Sequence, residues 1–314
     1  MLDDILTITF LVSLLSGMLR IAAPIMFAAL GELITERSGI LNLGVEGTML
    51  MGAFVGFLVT YKSGSLWFGV LAALLAGGAM GLLMAFMSSS LKVDQTVTGL
   101  ALNIFANGLA FYGYRVAFKQ FVSENLPTVR TFRPVPIPVL SRIPVLGETL
   151  FTQHTLTYMA LVMVPVIYFF LYRTKFGLEL RCLGENPRAV DMRGINIHLY
   201  QYLAVIFGGM MAGLGGAFLT LASAGLFVPD IAAGRGWIAI AIVIFGGWKP
   251  FRILAAALFF GLLDSFQLQV QGVGIQFPYQ LLLALPYVLT IVALVVSRNR
   301  QGAPLSLGIP YTRE

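Results

Sequence analysis

The chain has 314 residues, of which 58% are hydrophobic and only 11% are charged. Because soluble globular domains carry about 25% charged residues, this composition excludes that class and indicates an integral membrane protein with room for nine or ten helical spans. The net charge of +6 is dispersed among loops, which argues against a nucleic-acid partner and fits the excess of basic residues in cytoplasmic loops.

Long hydrophobic runs predict an all-α polytopic membrane protein with nine transmembrane helices, or ten if the first run is split. In chain order the predicted spans are 5–31, 44–60, 65–90, 94–117, 154–172, 199–224, 235–248, 252–270 and 277–297. We expect one membrane domain over 1–314, with an N-terminal half (1–117), an outer loop (118–153) and a C-terminal half (154–314). The proline-rich part of the outer loop predicts extended backbone with one short helix.

The distribution of Lys and Arg predicts the orientation. One set of alternate loops holds twelve of these residues and the other holds seven. The richer set includes the C-terminus and the segment 173–198, so both are predicted to be cytoplasmic. With nine spans the N-terminus would lie outside.

Two predicted spans are too short to cross a membrane as single helices. Gly47 to Thr60 is 14 residues, about 21 Å as a helix against a hydrocarbon core of about 30 Å, and Trp237 to Gly247 is shorter still. Each follows a glycine-interrupted, weakly polar run, the first starting at the cytoplasmic face and the second at the outer face. This pairing predicts two inverted structural repeats with discontinuous helices near the centre.

Polar residues inside the spans are candidates either for bonds between helices or for the lining of a translocation path. Buried amides and carboxylates are costly unless they are paired, so both roles are open at this stage. Amides would suit a neutral, hydroxyl-rich substrate better than an ion. The path candidates are Asn42, Glu46, Asn103, Asn107, Asp264 and Gln267.

The segment 173–198 carries a quarter of the basic residues in an otherwise apolar chain and must lie in water. Asn186 suits a helix N-cap, Pro187 the first helical position, and Gly194 a left-handed C-terminal residue. The pattern predicts a two-turn surface helix with Ala189 and Met192 on one face. Such an element is suited to contact with a soluble partner.

The chain contains no P-loop sequence, so ATP hydrolysis is not expected in it, and no spacing of residues predicts a metal site. The sequence therefore favours a pore or carrier powered by another protein over an enzyme. An ion-coupled secondary transporter or a channel acting without an ATPase stays as the alternative. A structural membrane scaffold is a third interpretation.

Two stretches resemble a known family. GELITERSGILNLGVEG, residues 31–47, closely resembles the N-terminal signature of ABC importer permeases of the branched-chain amino acid, ribose and nucleoside superfamily, and is most like the nucleoside or simple-sugar branch. Thr174-Lys-Phe-Gly, Arg181, Gly184-Glu-Asn-Pro and Ala189 are similar to the cytoplasmic coupling segment of those permeases, with Cys182 and Val190 where alanines are more usual.

The resemblance implies a permease subunit in a bacterial cytoplasmic membrane that takes up nucleosides or simple sugars by alternating access, with branched-chain amino acids as the alternative cargo. It implies an ATPase subunit that holds ATP and Mg²⁺, a second and different permease, an extracytoplasmic binding protein and surrounding lipid, with no cofactor in this chain. The coupling segment 173–198 would dock on the ATPase. Its expected contact residues are Glu185, Asn186, Pro187, Arg188, Ala189, Met192, Arg193 and Gly194.

Overall fold

The computed structural model describes residues 8–118, 126–138, 141, 146–272, 288 and 302–312. In the N-terminal half, α1 is Ile8–Arg37, α2 is Val45–Ser63, α3 is Leu66–Ala85 and α4 is Gln95–Ala117. A π-helical turn, Phe86–Ser90, continues α3.

Strands β1 (Pro134–Pro136) and β2 (Thr152–His154) form a small antiparallel sheet, with the short helix α5 (Leu146–Leu150) between them. This confirms the extended backbone and the short helix predicted for the proline-rich connection. The residues before β1 are bonded to the helical part of the chain. Val129 and Phe132 donate backbone hydrogen bonds to the carbonyls of Gly225 and Leu221.

The C-terminal half begins with α6 (Thr155–Arg173), which is followed by two short helices, α7 (Lys175–Glu185) and α8 (Pro187–Asp191). A long helix, α9 (Ile197–Ala217), continues into the π-helical turn Phe218–Ala224. Next come the short α10 (Arg235–Phe245) and α11 (Pro250–Gly272).

Helices α1 and α9 lie at the centre of the bundle. Helix α1 packs against α6, α9, α10 and α11, while α9 also packs against α2 and α3. Small residues allow these backbones to approach closely: a Cβ atom added to Gly213 would lie 2.4 Å from the carbonyl oxygen of Ala73. Close contact of glycine-rich faces is a common way to pack membrane helices.

Five helices in the described part of the chain are long and apolar enough to cross a membrane, which confirms a polytopic α-helical membrane protein. They are 10–37, 66–90, 155–173, 197–224 and 250–271. The count of nine or ten spans and the inverted repeats stay predictions, and the predicted span 277–297 lies outside the described residues apart from 288.

Two expectations about span length need correction. Helix α1 runs without a break to Arg37, so the described residues show no division of the first hydrophobic run. Helix α2 has 19 residues, roughly 28 Å, rather than 14, because it begins at Val45 and continues until Gly64 takes a left-handed conformation at φ 72°. The short helix predicted around Trp237 is confirmed, since α10 has 11 residues.

Candidate translocation and coupling sites

The N-terminal ends of α2 and α10 meet at Glu46. The Glu46 carboxylate accepts hydrogen bonds from the backbone N–H groups of Gly234 at 2.7 Å and Gly236 at 2.6 Å. Gly234 itself offers no side chain to cap α10 and has φ 82°. A carboxylate on one helix therefore satisfies the free N–H groups and complements the positive dipole end of another, 188 residues away. We call this contact the α2–α10 junction.

Asn103 of α4 fixes the chain on the other side of the junction. Its side-chain oxygen accepts a hydrogen bond from the Gly47 N–H, and its amide nitrogen donates one to the Leu43 carbonyl, both at 2.7 Å. One side chain thus bridges both sides of the start of α2. Because its side-chain oxygen and nitrogen both bond to the backbone, Asn103 fixes the position of the residues that begin α2.

The turn before α2 is held by buried polar groups. The Asn42 side chain accepts a hydrogen bond from the Gly44 N–H at 2.9 Å, and the Asn42 N–H donates to the carboxylate of Glu32 at 3.0 Å. Gln95 accepts a hydrogen bond from the Leu41 N–H at 2.7 Å. These contacts replace the helical bonds that the irregular backbone gives up, as burial requires.

A cavity of about 470 Å³ lies beside the α2–α10 junction. Three of the six predicted path residues line it, namely Glu46, Asn103 and Asn107. Asp230 and Trp237 also line it, although neither was among the path candidates. Asp230 lies in the glycine-interrupted run before the second short span, and its position there is a signal that could have identified it.

The other three predicted path residues lie elsewhere. Asn42 is 3% exposed and belongs to the turn before α2. Asp264 and Gln267 lie on α11 and are not among the described residues that line the cavity, although Asp264 interacts electrostatically with Arg235 at the start of α10. Their place in a path stays a prediction.

The far end of α10 is also tied to α1. The indole N–H of Trp248, just past α10, donates to the carboxylate of Glu36, and the Arg37 guanidinium donates to the Trp248 carbonyl at 2.9 Å. Glu36 and Arg37 are 1% and 8% exposed, so these bonds form away from bulk water. Sequence patterns did not single out either pair. Helix α10 is consequently held by carboxylates from other helices at both ends.

The predicted caps of the coupling segment are present. The Asn186 side chain accepts a hydrogen bond from the Ala189 N–H at 3.2 Å, and Gly194 has φ 75°. The helix is shorter than the predicted two turns, since α8 ends at Asp191 and residues 192–194 form a turn. The preceding helix α7 was not predicted.

Helix α8 presents one face to the protein and another to solvent. Val190 is buried against Leu183 and Ile197, whereas Ala189 is exposed and Met192 is 84% exposed. Ala189 and Met192, which were expected to form one contact face, are thus accessible to a partner. The other predicted contact residues are also exposed, apart from the half-buried Pro187: Glu185, Asn186, Arg188, Arg193 and Gly194.

A C-terminal segment, residues 302–312, fastens α7 and α8 to the turn that follows α1. The Ser306 N–H donates to the Gly184 carbonyl at 2.9 Å, and the Gly308 N–H donates to the Gly39 carbonyl at 3.1 Å. The Tyr311 hydroxyl donates to the Asp191 carboxylate at 2.9 Å. A contiguous set of contacts therefore runs from α8 to the turn that precedes α2.

Comparison with known proteins gives a consistent result. The profile of a family described as "Branched-chain amino acid transport system / permease component" matches residues 14–294. The guanosine ABC transporter permease protein NupQ of Bacillus subtilis is 34% identical over 301 residues, 93% of this chain and 94% of that protein.

Two further relatives are similar over most of their lengths. The nucleoside ABC transporter permease protein NupC of Lactococcus lactis subsp. cremoris is 34% identical over 310 residues, 96% of each chain. TsgC13 of Haloferax volcanii, provisionally named a glucose ABC transporter permease, is 38% identical over 272 residues, 85% of this chain and 80% of that protein.

Proposed function

The chain belongs to the family of permease components of branched-chain amino acid transport systems, and we propose that it is the permease of an ATP-driven importer of nucleosides or simple sugars. The names of the guanosine, nucleoside and glucose permeases support this class of cargo. The cavity beside the α2–α10 junction supports it independently, because it offers the amide of Asn107 and the carboxylate of Asp230 to sugar hydroxyl groups.

The proposal includes three protein partners. An ATPase subunit supplies the energy, an extracytoplasmic binding protein delivers the cargo, and a second, different permease completes the membrane pore. We place the complex in the bacterial cytoplasmic membrane with the coupling segment and the C-terminus in the cytoplasm. The count of twelve against seven basic residues in alternate loops supports this orientation.

We propose that the ATPase grips the exposed face of α8 and moves it. The C-terminal segment passes that displacement to Gly39, because it bonds both to α7–α8 and to the turn after α1. The same turn leads into α2, whose Glu46 holds the start of α10. Displacement of α8 would then shift the α2–α10 junction and open the cavity alternately to each side.

The observation that carries the proposal is the Glu46 contact at the edge of a cavity that Asn103, Asn107 and Asp230 also line. Two helices begin there, each after irregular backbone, and irregular backbone within a membrane protein is tolerated only where it lines a cavity or is buried in protein. Half-helix ends aimed at a cavity are typical of substrate sites in transporters.

Reconstitution tests the function. The chain would be co-purified with the ATPase and second permease encoded beside it, placed in liposomes with ATP, and supplied with the binding protein and labelled guanosine, glucose or leucine. We expect ATP-dependent uptake of guanosine or glucose. Uptake of leucine alone would assign the cargo to branched-chain amino acids. Uptake by the chain alone, driven by an ion gradient, would identify a secondary carrier instead.

A further inference from the structure

We propose that a groove between α6 and α9 binds an acyl chain of an anionic phospholipid, whose phosphate is received by Arg173 and Lys175. The groove has a volume of about 460 Å³. The twelve described residues that line it are hydrophobic, and among them only Tyr200 has a side-chain hydroxyl, which is bonded to Glu179. A surface of this chemistry accepts hydrocarbon and has no polar groups to bind sugar or nucleoside.

The dimensions of the groove fit one membrane leaflet. Its lining spans Met163 to Phe170 on α6 and Leu199 to Phe207 on α9, roughly 11 and 12 Å of helix, against about 15 Å for half of a hydrocarbon core. A helix about 10 Å wide and 12 Å long would occupy roughly 900 Å³, about twice the space present. An acyl chain is thin enough to enter where a helix is not.

The groove is open to the surroundings of the bundle. Leu199 and Leu203 line it and are 53% and 59% exposed, and Phe176 of α7 is 63% exposed. Ile34 of α1 forms its floor. In a membrane, an apolar depression with this exposure contacts lipid unless another protein covers it.

The rim of the groove carries positive charge at the corner where α6 turns into α7. Arg173 ends α6 and Lys175 begins α7, so both lie between the lining residues Phe170 and Phe176 in the chain, and both are exposed. Arg181, by contrast, is stacked 4.7 Å from the Tyr172 ring. Basic residues beside pockets between membrane helices attract anionic head groups, each by about 1 kcal/mol.

Helix α7 has the character of a helix that lies in the membrane surface. Phe176 and Leu178 are exposed although they are apolar, and Lys175 precedes them. Helices with an apolar face and basic residues lie in the headgroup region and favour anionic lipids. The assignment to the cytoplasmic leaflet rests on the orientation proposed above. The bound lipid would lie between α6 and α9, the two long helices that flank the coupling segment.

Native mass spectrometry of the intact importer complex tests the site. Complexes would be released from nanodiscs that hold equal amounts of phosphatidylglycerol and phosphatidylcholine. We expect retained phosphatidylglycerol in preference to phosphatidylcholine, and roughly fivefold weaker retention for each charge removed in Arg173→Gln and Lys175→Gln. Arg252→Gln removes an exposed basic residue at the start of α11 and should leave retention unchanged.

A second pair of variants tests the groove without changing charge. Leu203→Trp partly fills the groove and should reduce retention, whereas Leu75→Trp, at a similarly exposed position on α3, should not. Absence of phosphatidylglycerol from the wild-type complex, or equal retention of the two lipids, would overturn the site. Effects of Arg173→Gln and Lys175→Gln no larger than that of Arg252→Gln, or of Leu203→Trp no larger than that of Leu75→Trp, would also overturn it. ATP-driven uptake by the same preparation reports on the proposed function separately.

Discussion

The α2–α10 junction and helix α8 are built in opposite ways. At the junction a carboxylate joins two helix ends inside the bundle, and each polar group of Glu46 and Asn103 is engaged with backbone. Helix α8 has five residues, of which Val190 is buried, and Met192 directly after it is 84% exposed.

The difference separates two tasks in one chain. Under the proposed mechanism the junction, with its carboxylate and amide bonded to backbone, moves as a unit when α8 is displaced. An exposed helix with one buried residue per turn is stable enough to keep its shape and free enough to be gripped. The C-terminal segment matters because its hydrogen bonds connect α7 and α8 to Gly39, in the turn that leads into α2.

Removing the carboxylate of Glu46 should have the largest effect. Glu46→Ala leaves the N–H groups of Gly234 and Gly236 without their charged acceptor, and hydrogen bonds to charged groups contribute about 1.5–3 kcal/mol each. We expect the complex to lose about 4 kcal/mol of stability and its uptake. Thermal unfolding measures the first and liposome uptake the second. Lys62 is exposed at the other end of α2, so Lys62→Gln should change neither stability nor uptake. An equal loss of stability in Lys62→Gln would contradict the role of the Glu46 bonds.

The packing of α3 against α9 can be tested with a pair of glycines. In Gly213→Ala the new Cβ would lie 2.4 Å from the Ala73 carbonyl oxygen, so α3 and α9 must separate. We expect a loss of about 3 kcal/mol, at the upper end for overpacking. A Cβ at Gly108 meets no described residue within 4 Å, so Gly108→Ala should be neutral in the same unfolding measurement. Comparable melting of the two variants would contradict close packing of α3 against α9.

Substitutions of the two asparagines of α4 should have different effects, on stability at Asn103 and on cargo affinity at Asn107. Asn103→Leu removes both bonds to the start of α2 and should cost about 2 kcal/mol in stability. Asn107→Ala lies on the exposed cavity wall, so we expect unchanged unfolding but weaker cargo affinity in uptake assays. If Asn107→Ala alone destabilised the complex, its assignment to the path would be wrong.

Removing one hydrogen bond of the C-terminal segment should have the smallest effect. Tyr311→Phe removes the hydrogen bond to Asp191 and keeps the ring, at a cost of about 1 kcal/mol. We expect more ATP hydrolysed per cargo molecule transported, with little change in unfolding. Thr312→Val changes the neighbouring exposed residue and serves as the control. An unchanged ratio in Tyr311→Phe would remove this bond from the coupling route.

The sequence predicted much of the fold because hydrophobic runs and helix caps are local signals. The bounds expected for α4 and α6 agree with the structure within one residue, and Asn186 caps α8 as predicted. The length of α2 was underestimated because residues 45–46 were assigned to the preceding polar run and residues 61–63 to the following loop. A helix continues through polar side chains as long as its backbone bonds hold, and Gly64 ends it.

The candidate sites were less predictable because their partners are distant in sequence. Glu46 was recognised as a polar residue in the glycine-interrupted run before the first short span. Its bond to Gly234, however, depends on how α2 and α10 pack. Glu36 was missed because its partner, Trp248, is 212 residues away. A pattern along one segment carries no information about such pairs.

The most direct test of the central claim is the number of cargo molecules transported per ATP hydrolysed by the reconstituted complex carrying Ala189→Asp. The added carboxylate lies on the exposed face of α8, so it should disturb the contact with the ATPase without disturbing the bundle. We expect insertion and assembly as in the wild type, ATP hydrolysis that no longer depends on cargo, and uptake reduced at least tenfold. Ala189→Ser should behave as the wild type. Full uptake by Ala189→Asp would contradict the account.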